Sequence, residues 1–344
     1  MSGNNFRVEI ERGGVLLWVN QDDRYEADGI FNPAVAGDYL LYRAAGSGNY
    51  SRIMAARLSY DKRRGDVNAD RLQRIILEPM TAYEKMSEEN GGVEDPRVTR
   101  LADGKYVMLY VGYGYQKETD AQESMIAAAI SENGLIWERL GRIMFEPLHW
   151  QGHMIDLNRV PNKDAVLFSE KIGGRYALYH RPMFSAEKAK VTGVPRRAIW
   201  YAEAEQLTGP WSNHRMVAIP KYDWEISGIG SGVPPIRMGN TWLNIYHGFI
   251  YQRKHKHYCA GAFVTSADKP YQITWRQAEP VLEPIVYDEK KHRSKHIVFP
   301  TAVWSGAGER PVIIWGCEDS SIMWGWLNLR SAQAGPSASL RLPA

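Results

Sequence analysis

The chain has 344 residues, 44% of them hydrophobic and 24% charged, with a formal net charge of +3. This is the make-up of a globular protein with room for a large core, and it excludes wholesale disorder and fibrous repeats. Lysines and arginines are scattered without a long basic block, which argues against nucleic acid as the main partner, and no apolar run reaches bilayer length.

The stretch from Met1 to Arg12 is polar, and the only cysteines, Cys259 and Cys317, lack metal-ligand spacing. A cytoplasmic location without a disulfide framework is expected. From Phe31 onward an internal repeat organises the chain. Five segments share an apolar strand, a Gly-containing turn and a second strand closing on an aromatic residue. They run from Phe31 to Arg43, Asp95 to Val111, Ala165 to Arg181, Val233 to Gly248 and Phe299 to Gly316. The closing aromatics Tyr42, Tyr110, Tyr179, Tyr246 and Trp315 fall 68, 69, 67 and 69 residues apart.

Each segment reads as a β-hairpin, because apolar, β-branched and aromatic residues flank its turn signal. The remainder of each unit supplies outer strands, such as Ser124 to Ile130, Ala198 to Ala204 and Tyr258 to Thr265, whose small and apolar residues suit packing between neighbours. Evenly spaced all-β units of this size predict a five-bladed β-propeller, with residues 1–344 as a single catalytic domain, rather than a β-helix or a pair of sandwiches.

In such an architecture the innermost strands line a channel, and polar residues at equivalent strand ends converge on it. Arg43, Arg181 and His247 lie beside closing aromatics, Glu94-Asp95-Pro96-Arg97 opens the second hairpin, and Glu318-Asp319 follows the last. The residues alone leave alternatives open. Asp95 is either a general acid or the partner of Arg97 in a turn. Arg181 either grips an oxyanion with its planar guanidinium or lies on the surface. His247 is a ligand donor or a structural histidine, and Lys163 binds an anion or is neutralised by Asp164. Arg43 and Arg52 either join that convergence on a ligand or brace the first unit, and Asp319 either joins it or merely neighbours Glu318. The basic stretches 253–257 and 290–296 read as solvated loops, so no metal site is expected. Trp18, Tyr113, Tyr115 and Trp224 are candidates for stacking on a ligand.

The same residues carry a family resemblance. The motifs are FNPAV (31–35), LLYR (40–43), SRIMAARLSYD (51–61), GGVEDPRVTRLADGKYVMLY (91–110), NKDAVLFSEKIGGRYALYHRP (162–182), GIGSGVPPI (228–236), TWLNIYHG (241–248), VFP (298–300) and GCED (316–319). Together they resemble glycoside hydrolase family 130, the mannoside phosphorylases and related β-mannosidases. The resemblance implies a five-bladed propeller and an inverting reaction on short β-mannosides. It makes Asp95 the general acid, acting directly or through a mannose hydroxyl. Lys163, Arg181 and His247 would bind inorganic phosphate, and Arg43, Arg52 and Asp319 the mannosyl unit. Phosphate would be the co-substrate, α-mannose 1-phosphate the product of this glycosyl-transferring phosphorylase, and a homo-oligomer the assembly.

One acid suffices when the nucleophile is already an anion, and Asp95 would rest protonated if its pocket raised its pKa. No metal or organic cofactor is then expected. The pattern departs from the family at Gly228, where the phosphorylases usually carry a lysine, and at Lys163, which stands in place of an arginine. The rival reading is an inverting β-mannoside hydrolase with Glu225 or Asp223 as base. A noncatalytic sugar-binding propeller fits less well, since Asp95 and its motif are intact.

Overall fold

The computed structural model describes residues 6–46, 48, 50–87, 90–116, 121–252, 255–285, 296–308 and 310–331. The fold is all-β apart from one short helix, Ala186–Thr192, and three single 3-10 turns among these residues. Each predicted hairpin is present as the start of an antiparallel unit. The first unit runs Gly29–Ala36, Tyr39–Gly46, Tyr50–Asp61 and Asp66–Leu77. The second runs Asn90–Arg100, Tyr106–Gln116, Ala121–Ser131 and Glu138–Arg142. The third is Asn162–Leu167, Tyr176–Pro182, Ile199–Ala204 and Ser212–Ala218.

The fourth opens with two short strands, Gly228–Ser231 and Ile236–Met238, both paired to Thr241–Gln252, and continues through His255–Ser266 and Ile273–Arg276. The fifth comprises His296–Trp304, Val312–Cys317 and Ser321–Ser331. Its outer edge is completed by the N-terminal strand Phe6–Trp18, which pairs with Ser321–Ser331. The hydrogen-bonded sheets do not close on themselves.

The core explains why the inner strands read as nearly continuous apolar runs rather than alternating ones: both faces of each sheet are covered. Five buried clusters occur, each shared by consecutive units. Ile53 and Met108 join the first to the second, Leu109 and Trp200 the second to the third, and Tyr179 and Trp242 the third to the fourth. Ile245 and Trp315 join the fourth to the fifth, while Ile314 and Tyr42 join the fifth back to the first. Third strands contribute small residues to these seams, including Ala55, Ala56, Ala127, Ala129, Ala202, Ala260 and Ala262, all buried, so that neighbouring sheets approach closely. No helix among the described residues is long and apolar enough to cross a membrane.

The first strands carry one further repeated device. In three of them the register slips, between Phe31 and Ala34, Glu94 and Arg97, and Lys163 and Val166. At each slip one residue is left-handed: Asn32 (φ 43°), Asp95 (φ 52°) and Asp164 (φ 55°). Asn and Asp tolerate that region better than other side chains, and a bulge re-aims the side chain it carries. The fifth unit slips between Pro300 and Ala302, and in the fourth the Gly232 and Val233 amides both donate to the Ile245 carbonyl.

Candidate active site

Two buried ionic networks meet at these bulges. The first is centred on Arg43, on the second strand of the first unit. Its Nη2 donates to Glu94 Oε1 at 2.7 Å, its Nη1 to Asp95 Oδ1 at 3.1 Å, and its Nε to Ser51 at 3.0 Å. Lys163 reaches Glu94 Oε2 at 3.9 Å from the third unit. Arg97 is fully buried and staples the bulge in place. Its Nε donates to the Gly232 carbonyl at 2.8 Å, and its Nη1 to the carbonyls of Asp95 and Pro96. Arg97 therefore bonds the Asp95 backbone rather than its carboxylate. Burial alone would raise the Asp95 carboxyl, but Arg43, Lys163 and Arg97 outweigh it and hold its pKa below the ordinary value of 3.8. The condition under which Asp95 would rest protonated, a pocket that raises its pKa, is therefore not met in the unliganded site, where it is a carboxylate.

The second network surrounds Asp164. Its Oδ2 accepts from Arg181 Nε and lies 3.6 Å from His247 Nε2. Of the two readings of Lys163, neutralisation by Asp164 is not the arrangement found: Asp164 is matched to Arg181 and His247, and Lys163 reaches Glu94. Burial pushes His247 down to about 3, so at neutral pH it is an uncharged imidazole, packed 4.2 Å from Phe299 between ring centroids. Its Nδ1 has no hydrogen-bond partner among the described residues. Gly230 sits directly across from His247 in the strand pair, and a Cβ there would lie 2.3 Å from Asp164 Oδ2, 2.6 Å from His247 Cε1 and 2.9 Å from Arg181 Nε. Only a bare backbone fits at this position. The two networks feel each other, since Lys163 and Arg97 lower both Asp95 and Asp164.

The sequence profile of this glycoside hydrolase family, described as beta-1,4-mannooligosaccharide phosphorylase, matches residues 8–331. The chain belongs to glycoside hydrolase family 130. It is 30% identical to the 1,2-beta-oligomannan phosphorylase of Thermoanaerobacter sp. (strain X514), across 83% of this chain and 85% of that protein. It is 31% identical to the beta-1,2-mannobiose phosphorylase of the same strain, across 81% and 83%. The solved beta-1,2-mannobiose phosphorylase from Listeria innocua, in complex with beta-1,2-mannobiose, superposes with a TM-score of 0.60 at 21% identity. It covers 95% of this chain and 91% of that one, and at such identity it speaks to the fold alone.

Within this family 130 chain the remaining candidates separate. Asp319 is left-handed (φ 58°), its carbonyl accepts from the Ile30 amide at 3.3 Å, and its charge acts on Arg43. Arg52 stands apart from both networks: it lies over the rings of Tyr25 and Tyr50 at 4.8 and 4.5 Å and pairs with Glu78 at 3.8 Å. Trp224 packs against Tyr222 and Tyr246, while Trp18 is 64% exposed. Of the stretch 253–257, read as a solvated loop, residues 255–257 instead open the strand His255–Ser266, while residues 253–254 and 290–295 lie outside the described residues.

Glu225, a candidate hydrolytic base, is wholly buried and committed elsewhere. It accepts from Lys221 N at 2.7 Å, Tyr222 N at 3.2 Å, Arg276 Nη2 at 2.6 Å and Tyr246 OH at 2.7 Å. Equivalent Tyr–Glu–Arg triads occur as Tyr42–Glu26–Arg71 and Tyr110–Glu84–Arg139. The role is architectural, repeated in three units. Asp223 is exposed. At Gly228, a Cβ would meet Arg197 at 2.9 Å, so Arg197 fills the space a longer side chain there would need. Sequence reasoning missed Asp164 as the centre of the second network, although it shares its place in the hairpin repeat with Asp95.

Proposed function

We propose that this family 130 enzyme is an inverting phosphorylase of short β-mannosides that releases α-mannose 1-phosphate, and that its five units are the blades of one propeller domain. The cyclic packing of the five cores, with the N-terminal strand completing the last unit, supports the propeller. The observation that carries the reaction is the pairing of one bulge-presented acid, Asp95, with the buried Arg181 and His247 and the half-buried Lys163 between the two networks, able together to hold an oxyanion.

In this reading Arg43 and Asp319 fix the mannosyl unit beside Asp95, with Arg52 at the rim. Phosphate on Arg181, His247 and Lys163 attacks the anomeric carbon while the bond to the leaving oxygen breaks, and that oxygen takes the proton of Asp95. Because Asp95 is ionised in the empty site, the proton must arrive as the complex assembles. Phosphate beside Lys163 offsets a cation that keeps Asp95 charged, and so favours its protonation. Acid and bound oxyanion together supply the chemistry, so no metal or organic cofactor enters, and a cytoplasmic supply of inorganic phosphate suits the reaction.

Release of mannose and of mannose 1-phosphate from a panel of β-linked manno-disaccharides, with and without phosphate, tests this. Strict phosphate dependence supports it. Equal mannose release without phosphate would replace it with hydrolysis, for which Asp164, a buried carboxylate whose charge acts on Asp95, is the base to examine.

A further inference from the structure

Among the groups of the anion-binding set, Asp164 is the one whose presence is unexpected, because a carboxylate beside the guanidinium that is to grip phosphate competes with the ligand. Its side chain is 2% exposed. It takes only Nε of Arg181, whose terminal nitrogens make no hydrogen bond among the described residues and remain available to a ligand. Asp164 Oδ2 lies against both Arg181 Nε and His247 Nε2, so an oxyanion held by Arg181 and His247 would sit beside it. A Cβ at position 230 would lie 2.3 Å from Asp164 Oδ2, so the bare glycine keeps the space beside this carboxylate clear.

We propose that Asp164 makes this site selective for an oxyanion that carries a proton: its carboxylate accepts the P–O–H hydrogen of hydrogen phosphate, so that phosphate is admitted and sulfate refused. The inference rests on the phosphorolytic reading of the same site. An ionised carboxylate has acceptors only, and a fully deprotonated oxyanion offers acceptors only, so the two meet with no proton between them in a place where water does not screen them. Hydrogen phosphate brings the missing donor, and the bond is a charge-assisted one. Sulfate, of the same size and shape, has no proton at neutral pH. Burial pushes Asp164 up, but Arg181 and its other neighbours bring it below its ordinary value, so it is the acceptor the argument requires. Holding the P–O–H group also leaves the unprotonated oxygens to Arg181, Lys163 and the sugar.

Isothermal titration of the wild-type enzyme with inorganic phosphate and with sodium sulfate at pH 7 is the direct test, followed by sulfate inhibition of phosphorolysis in wild type and Asp164→Asn. Wild type should prefer phosphate by about a hundredfold or more, as buried sites built around one hydrogen bond do. In Asp164→Asn the amide can donate to sulfate, and the preference should shrink to less than about tenfold. Sulfate binding to wild type within a few-fold of phosphate would overturn the proposal. So would a folded Asp164→Asn enzyme that keeps the wild-type ratio. If that variant does not fold, the wild-type titration still decides. A wild type that binds neither anion and frees mannose without phosphate removes the phosphorolytic reading itself, and this inference with it.

Discussion

Replacing Glu225 with Gln separates an architectural carboxylate from a catalytic one. In the native protein Glu225 is fully buried and receives two backbone amides, the Tyr246 hydroxyl and Arg276, whose side chain is 8% exposed. Gln keeps the shape and one acceptor but removes the charge, leaving Arg276 buried without its counterion and one donor facing an NH₂ group. Breaking a buried pair from one side costs about 3–5 kcal/mol, and the retained acceptor places the loss near the lower end. With unfolding entropy scaling with chain length, about 3–4 kcal/mol lowers the melting temperature of a chain this long by about 4–6 °C. Differential scanning calorimetry measures the shift, and initial rates at 25 °C with and without phosphate measure the chemistry. The expected result is a clear drop in melting temperature with turnover per folded enzyme unchanged, repeated in Glu26→Gln and Glu84→Gln. A Glu225→Gln enzyme that melts within about 1 °C of wild type but loses its activity would refute the architectural role and restore Glu225 as a base.

Asp95→Asn preserves a residue type that accepts the left-handed bulge, so the fold should survive while turnover falls by about 10²–10⁴, and near-normal rates would unseat Asp95 as the acid. Gly230→Ala puts a methyl group 2.3 Å from Asp164 Oδ2 and should raise the KM for phosphate at least about tenfold; an unchanged KM would mean that the anion binds elsewhere. His247→Ala should raise the KM for phosphate and leave that for the sugar alone, and the opposite split would move His247 to the mannose subsite. Stability should also depend on acid in a specific way. His247 is lowered from 6.5 to about 3, so as pH falls below 6.5 the unfolded chain takes up a proton that the folded chain refuses, and stability present above 6.5 is progressively lost. Asp95 and Asp164, both held below 3.8, add a second loss as pH drops through that value. Melting temperature against pH for wild type and His247→Asn checks the first part, and identical slopes between pH 6.5 and 4 would contradict it.

The hairpins and their period were legible because they are local: a strand, a turn and a strand of apolar residues closing on Tyr42, Tyr110, Tyr179, Tyr246 or Trp315 are written contiguously. What the period did not disclose is what the aromatics do. Tyr42, Tyr110 and Tyr246 donate to Glu26, Glu84 and Glu225, which precede them by 16, 26 and 21 residues on connections of unequal length, so no fixed spacing marks the pairs. Tyr179 in the third unit donates instead to the Pro270 carbonyl of the next unit. The same limit applies to the site. Arg43 and Asp95 are 52 residues apart, and Arg181 and His247 belong to different units that meet only through packing, so the sequence could nominate each cation without saying which acid it would face. The ionised state of Asp95 comes from that gap: its burial and the nearby Arg97 were foreseeable from the motif, the approach of Arg43 and Lys163 from other units was not. Yet one signal was local and usable. Asn32, Asp95 and Asp164 each occupy the left-handed turn of a bulge near the start of a first strand, the first two directly before proline. An Asx residue recurring at that place in an otherwise apolar strand has a backbone reason to be there, and the same backbone reason aims its side chain out of the ladder. Reading the repeat for its bulges as well as its aromatics would have placed Asp164 beside Asp95 from the start.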